Sequence, residues 1–222
     1  MISMSLMESW LPELGVGALR TVEMASLAYL LAAVAGLLIA LAEGSGLRWL
    51  YLVCRTYIEF IRGTPTLTQL FLIYFGLTSL NIVIPGFQAA VIALGLHYAA
   101  YMAETYRSGI AAINSGQSEA AAALGLHRFN VMRLVVLPQA IRIILPPMTN
   151  FAISLLKDTS VASLIAAPEL MMNATEITSE YYMPMPVYLI TGAIYFVMAF
   201  PLSLLAGYFE RRSGNRLRRD LA

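Results

Sequence analysis

Glu119-Ala120-Ala121-Ala122-Ala123-Leu124-Gly125, with the run from Leu126 that closes on Leu137-Pro138, is the most soluble-looking stretch in the interior of the chain. Ser118 is a candidate N-cap, Glu119 adds an acidic group to the first helical turn, and four alanines follow, alanine being the best helix former. Gly125 offers the left-handed conformation that ends short helices. His127 to Val136 reads as a second short helix, with Arg128 and Arg133 toward water and Phe129, Met132 and Leu134 toward an apolar surface. Pro138 suits the first turn of a following helix. By chemistry alone this helix, glycine turn, helix device also describes an ordinary cytoplasmic connector.

What flanks it is strongly apolar. The 222 residues are 59% hydrophobic and 12% charged, which points to a polytopic membrane protein rather than a soluble domain. The net charge of +1 says nothing about nucleic acid, and no basic block suggests such a partner. A single cysteine, Cys54, excludes an internal disulfide. No cleavable signal is expected, because no positively charged segment precedes the first apolar run.

Five spans follow from the apolar runs. Val22 to Leu41 supplies about the 20 residues that a helix needs to cross a hydrocarbon core of about 30 Å. Leu50 to Ile61 and Thr66 to Leu80 read as one helix kinked or restarted near Pro65, which removes an intrahelical hydrogen bond. Ala89 to Met102, continuing through Arg107, is the third span, Ile143 to Ile165 the fourth, and Val187 to Phe209 the fifth. Pro168 to Glu180 reads as a short amphipathic helix outside the bilayer.

Charge orients these spans. Arg48, Arg55 and Arg62 accompany the second, Arg107, Arg128, Arg133 and Arg142 surround the alanine-rich stretch, and Arg211, Arg212, Arg216, Arg218 and Arg219 close the chain. Together they are twelve of the 14 lysines and arginines, and that side is expected to be cytoplasmic, with the N-terminus outside. Glu169, Glu176 and Glu180 fall on the opposite, outer side.

Three polar groups interrupt the spans. Lys157-Asp158-Thr159-Ser160 sits in the fourth, where insertion scales charge about 2.5 to 3.5 kcal/mol for each ionised group at the centre. Either Lys157 snorkels outward and Asp158 caps a helix break, or both line a hydrated cavity. His97, Tyr101 and Glu104 at i, i+4 and i+7 share one helix face and read as lining water, whereas Tyr98 reads as packing. Glu59 and Arg62, at i and i+3, are expected to pair, with Gln69 further in as a weaker candidate for the path. Lys157, the only lysine, follows Leu156 rather than glycine, so the chain has no P-loop. An ATP-driven process would need its ATPase on another chain.

The stretch Glu119, Ala120, Ala121, Gly125, Leu137 and Pro138, with Val135 in an isoleucine slot, resembles the EAA signature of ABC importer permeases. Arg62-Gly63-Thr64-Pro65 with Gln69-Leu70-Phe71, Ala100-Tyr101 with Ala103-Glu104, Gly116-Gln117, and Leu137-Pro138-Gln139-Ala140 followed by Lys157-Asp158-Thr159-Ser160 resemble the polar amino-acid permeases in particular. That group serves histidine, glutamate, glutamine, arginine, cystine and opines.

The resemblance implies an all-α polytopic fold of the type I ABC importer permease, with five transmembrane helices and cytoplasmic coupling helices. It implies one permease domain over residues 1–222, with a family-like core at about 17–212 and a coupling segment at 115–138. Glu119, Ala120, Ala121, Gly125, Leu137 and Pro138 would couple to an ATPase dimer, which alone would bind ATP and Mg. Gln69, His97, Tyr101, Glu104, Lys157 and Asp158 would border the substrate pathway. A second permease, identical or a sister chain, and an extracytoplasmic solute-binding protein complete the expected assembly in the bacterial cytoplasmic membrane. No cofactor or metal is expected in this chain, and no catalytic residue. The alternatives are import of an opine or other amino-acid derivative, a secondary transporter using Asp158 or Glu104 as a proton site, and a membrane enzyme built on His97 and Glu104. No inverted repeat supports the secondary transporter and no nucleophile or metal constellation supports the enzyme.

Overall fold

The computed structural model describes the backbone of residues 4–217 and the side chains of residues 9–212. Arg218 and Arg219, counted toward the basic side, lie outside the described residues, as does the side chain of Arg216. Nine α-helices follow one another among the described residues: α1 (Met4–Glu43), α2 (Arg48–Arg62), α3 (Thr66–Ser79), α4 (Gly86–Ala111), α5 (Ser115–Ala123), α6 (Arg128–Val131), α7 (Leu137–Asp158), α8 (Leu170–Tyr181) and α9 (Pro184–Leu217). A π-helical turn at Met132–Val136 joins α6 to α7, and 3-10 turns at Thr159–Ile165 extend α7.

Four helical stretches are long and apolar enough to cross a membrane, at Ser9–Glu43, Gly86–Ala111, Arg128–Ile165 and Pro184–Arg212. The remaining expected span is divided. Pro65 lacks the N–H that would continue α2, and it biases Thr64 away from helical geometry. The chain therefore restarts, leaving helices of 15 and 14 residues. At about 1.5 Å per residue, each falls short of a hydrocarbon core of about 30 Å.

The first helix begins well before Val22. Trp10 and Leu14, one turn apart, are buried against Leu170, Ala174, Ile177 and Val187, so packing on α8 and α9 extends α1 through Pro12. Its later turns meet α4 through small side chains. Ala25, Ala28 and Ala32 of α1 share the core with Ala89, Ala90 and Ala93 of α4. At Gly36 an added Cβ would lie 2.8 Å from the Ala99 carbonyl oxygen and 2.9 Å from Met102 Cβ. Small residues let two backbones approach where lipid offers no hydrophobic drive between helices.

Two sequence expectations change around the alanine-rich stretch. Asn114, not Ser118, caps α5, accepting from the Gly116 N–H at 2.8 Å. Glu119 consequently falls in the second turn. Pro138 sits in the first turn of α7, as expected, but α7 runs on from α6 through the π turn without a break. A proline inside a helix clashes with the carbonyl four residues back, and the widened turn before Pro138 relieves that clash. The Val135 carbonyl there accepts from Gln139 Nε2 at 2.8 Å, and the same amide donates to Gln117 Oε1 on α5.

Candidate functional site

Two sites emerge, one at the α5–α6 corner and one along α4. At the corner, Gly125 has φ +82, the left-handed conformation expected of it. Leu126 then donates to the Ala121 carbonyl, and the His127 ring accepts from the Phe129 N–H to cap α6. Ala121, Val131 and Val136 turn inward against Ile110 and Ile113. Phe129, Met132 and Leu134, expected to face an apolar surface, are left exposed among the described residues: Phe129 is 66% exposed and Leu124, at the tip, 84%. Glu119, Ala120, Gly125, Leu137 and Pro138 are also exposed. A groove of about 390 Å³ runs beside the corner, with Glu119, Ala122, Arg128 and Met132 in its walls. Small side chains on α5 keep this groove open.

Along α4, the face carrying His97, Tyr101 and Glu104 is divided among three environments. His97 is buried. Gln69 directs its amide nitrogen to the Ile61 carbonyl at 2.8 Å and to the Thr64 carbonyl and hydroxyl at 3.1 and 2.7 Å. Its oxygen therefore faces His97 Nδ1, 3.0 Å away, which donates to it. Nε2 of the ring is left to the Thr66 hydroxyl at 3.2 Å. Gln69 and His97 thus tie the α2–α3 break to α4.

Tyr101 stands at the next level. Its ring lies 5.2 Å from that of His97 and 6.1 Å from Phe151 of α7, and the Arg62 guanidinium sits 5.8 Å over it. Arg62 does not pair with Glu59. The Glu59 carboxylate meets Arg55 at 2.6 Å instead, because i and i+4 align better on this face. Glu104 lies one turn further along and joins Arg55 at 3.2 Å and Arg107.

Tyr98 does more than pack: it binds the residue at the end of α7. Its hydroxyl donates to Asp158 Oδ2 at 2.7 Å. Asp158 makes no capping bond to the 3-10 turns that follow it, so the phenol, not the helix break, holds its carboxylate. Lys157, about 100° away on the same helix, is exposed and forms no salt bridge among the described residues. Thus Gln69, His97 and Tyr101 come together, Asp158 joins them through Tyr98, and Glu104 and Lys157 stand apart. The Tyr98–Asp158 pair left no signal in the sequence beyond a tyrosine beside a histidine, since its partners are far apart in the chain. Among the described residues no group of three or more His, Cys, Asp or Glu is placed to hold a metal ion.

Comparison with known proteins gives one answer. Residues 30–215 match the family described as binding-protein-dependent transport system inner membrane component. The chain is 37% identical over 201 residues to a probable amino-acid ABC transporter permease protein, y4tG, of Sinorhizobium fredii, covering 89% of this chain and 85% of that one. It is 37% identical over 206 residues to the L-cystine transport system permease protein TcyB of Bacillus subtilis, covering 92% and 88%. The crystal structure of an amino acid ABC transporter with histidines contains a chain of the same fold, with a TM-score of 0.89 and 41% identity over 96% of this chain and 99% of that one. With its all-helical fold and multiple apolar spans, the chain belongs to the binding-protein-dependent transport system inner membrane component family, the permeases of ABC importers.

Proposed function

We propose that this chain forms the membrane path of an ABC importer for a polar amino acid, with ATP and Mg bound and hydrolysed on a separate ATPase dimer. The observation that carries this reading is the unbroken helix from Arg128 to Ile165. One end of it, beside α5, presents Phe129 and Leu134 to the outside. Near its other end Asp158 meets Tyr98 of α4. Motion imposed on the α5–α6 corner can therefore reach the polar cluster without crossing a loop.

In this reading the exposed Glu119, Ala120, Gly125, Leu137 and Pro138 fit a groove of the ATPase, where Leu124 and Phe129 lose their exposure, whereas Ala121, expected among them, is buried against Ile110 and Ile113 and holds the corner from inside. Asp158 and Arg62, with the Tyr101 and Phe151 rings between them, offer an anion, a cation and an aromatic wall to a zwitterion. Gln69 and His97 shape that wall, Glu104 with Arg55 and Arg107 borders the inner mouth, and Lys157 faces a neighbouring surface of the pathway. A second permease, identical or a sister chain, closes the path, and an extracytoplasmic solute-binding protein docks on the outer face of α8. The N-terminus lies outside and the α5–α6 corner in the cytoplasm, in keeping with the arginine bias. Residues 1–222 act as one permease domain that forms and breaks no covalent bond.

Co-purification of the chain with the ATPase encoded beside it tests the reading. Wild type is expected to bring the ATPase down. Gly125→Asp puts a side chain into left-handed backbone and a charge at the corner, and is expected to lose the ATPase while the membrane helices stay folded. An ATPase retained by the variant, or missing with wild type, refutes the coupling role.

A further inference from the structure

Glu169, one of the acidic residues expected on the outer side, is fully buried and caps the N-terminus of α8. Its Oε1 accepts from the Met172 N–H at 2.7 Å. Its Oε2 accepts from the Met171 N–H at 2.9 Å, the Tyr195 hydroxyl of α9 at 2.8 Å and the Thr21 hydroxyl of α1 at 3.4 Å. The Thr21 oxygen in turn accepts from the Leu170 N–H at 3.0 Å. The first three N–H groups of α8 are thus all held by one cluster shared with α1 and α9.

A helix cap needs much less than this. A short exposed side chain bonding to its own helix suffices, and burying a carboxylate is costly unless donors surround it. Here two of the four donors, the Tyr195 and Thr21 hydroxyls, come from two other helices. The segment just before is clamped as well: Ala166 takes the left-handed conformation with φ 53, and Ala167 is buried. Gly86, the first residue of α4, lies so close that an added Cβ would be 2.7 Å from the Ile165 carbonyl oxygen and 3.2 Å from the Ala167 nitrogen. Only the 3-10 turns Thr159–Ile165 separate this clamp from Asp158.

We infer that Glu169, through Thr21 and Tyr195, is a positioning residue that makes α8 move as one body with α1, α9 and the tail of α7, so that docking on the outer face of α8 is transmitted to the Tyr98–Asp158 pair. The exposed side of α8, with Thr175, Glu176, Ser179 and Glu180, is free to receive the docking protein. Coupling of this kind travels through rigid, contiguous contacts; the cluster supplies them between α8, α1 and α9, and the 3-10 turns link α8 along the chain to the tail of α7. The inference rests on the importer reading above.

The test uses the whole complex, permease with ATPase, in lipid nanodiscs. ATP hydrolysis is measured with and without the solute-binding protein encoded beside it, in a mixture of the common amino acids. Tyr195→Phe and Thr21→Val are each expected to assemble and to keep basal hydrolysis, while stimulation by the binding protein falls about fivefold or more. Glu169→Gln, which turns an amide N–H toward these donors, is expected to lose at least as much. Wild-type stimulation in both hydroxyl variants overturns the inference, as does a loss of stimulation that merely follows lost complex yield. Absence of stimulation in the wild-type complex overturns the importer reading itself.

Discussion

Tyr98→Phe removes the hydroxyl that donates to Asp158 and leaves a half-buried carboxylate short of a donor. Such a loss costs about 1–3 kcal/mol. The expected outcome is a lower midpoint of thermal unfolding for the detergent-solubilised chain, and slower uptake in proteoliposomes; an unchanged midpoint refutes the structural part. A second residue-scale prediction concerns pH. Burial pushes the Glu169 carboxyl up from its ordinary value, more than the hydrogen bonds from Met171, Tyr195, Met172 and Thr21 pull it down. A raised folded value means that its contribution to stability is full below the unfolded value of about 4.3 and is lost as pH rises through the folded value. Melting temperatures taken between about pH 4 and pH 8 are expected to show that decline in wild type and to lose it in Glu169→Gln. Equal slopes in both proteins refute it.

At the scale of elements, the α1–α4 pair depends on side chains too small to keep the backbones apart. Gly36→Ala puts a Cβ 2.8 Å from the Ala99 carbonyl oxygen, where backbone cannot yield as a flexible side chain would. Overpacking of this sort costs about 1–3 kcal/mol, and the expected result is a reduced yield of folded chain and a lower unfolding midpoint. Wild-type stability in the variant would mean that the two helices separate without cost. The π turn at Met132–Val136 is the element that sequence patterning missed. Pro138 marks the first turn of α7, as expected, while packing of Val131 and Val136 on Ile110 and Ile113 keeps α6, the π turn and α7 in one unbroken helix. Conversely, the left-handed Gly125 and the restart at Pro65 were legible, because glycine and proline act locally through their own backbone.

At the scale of the whole molecule, the arginine bias makes the proposed orientation testable. In a Cys54→Ser background, Ser179→Cys on α8 is expected to react with a membrane-impermeant maleimide in intact cells, and Ser118→Cys on α5 only after lysis. The reverse pattern would invert the topology. Sequence alone determined that the chain is all-helical and membrane-bound, where its glycine and proline breaks fall, and which family it resembles, since hydropathy, turn chemistry and motif spacing are properties of neighbouring residues. Only the tertiary structure decided that Tyr98 holds Asp158, that Glu59 turns to Arg55, and that Glu169 is buried rather than exposed. Each of these depends on groups brought together from different helices, and a contact between residues distant in the chain has no periodicity by which the sequence could announce it.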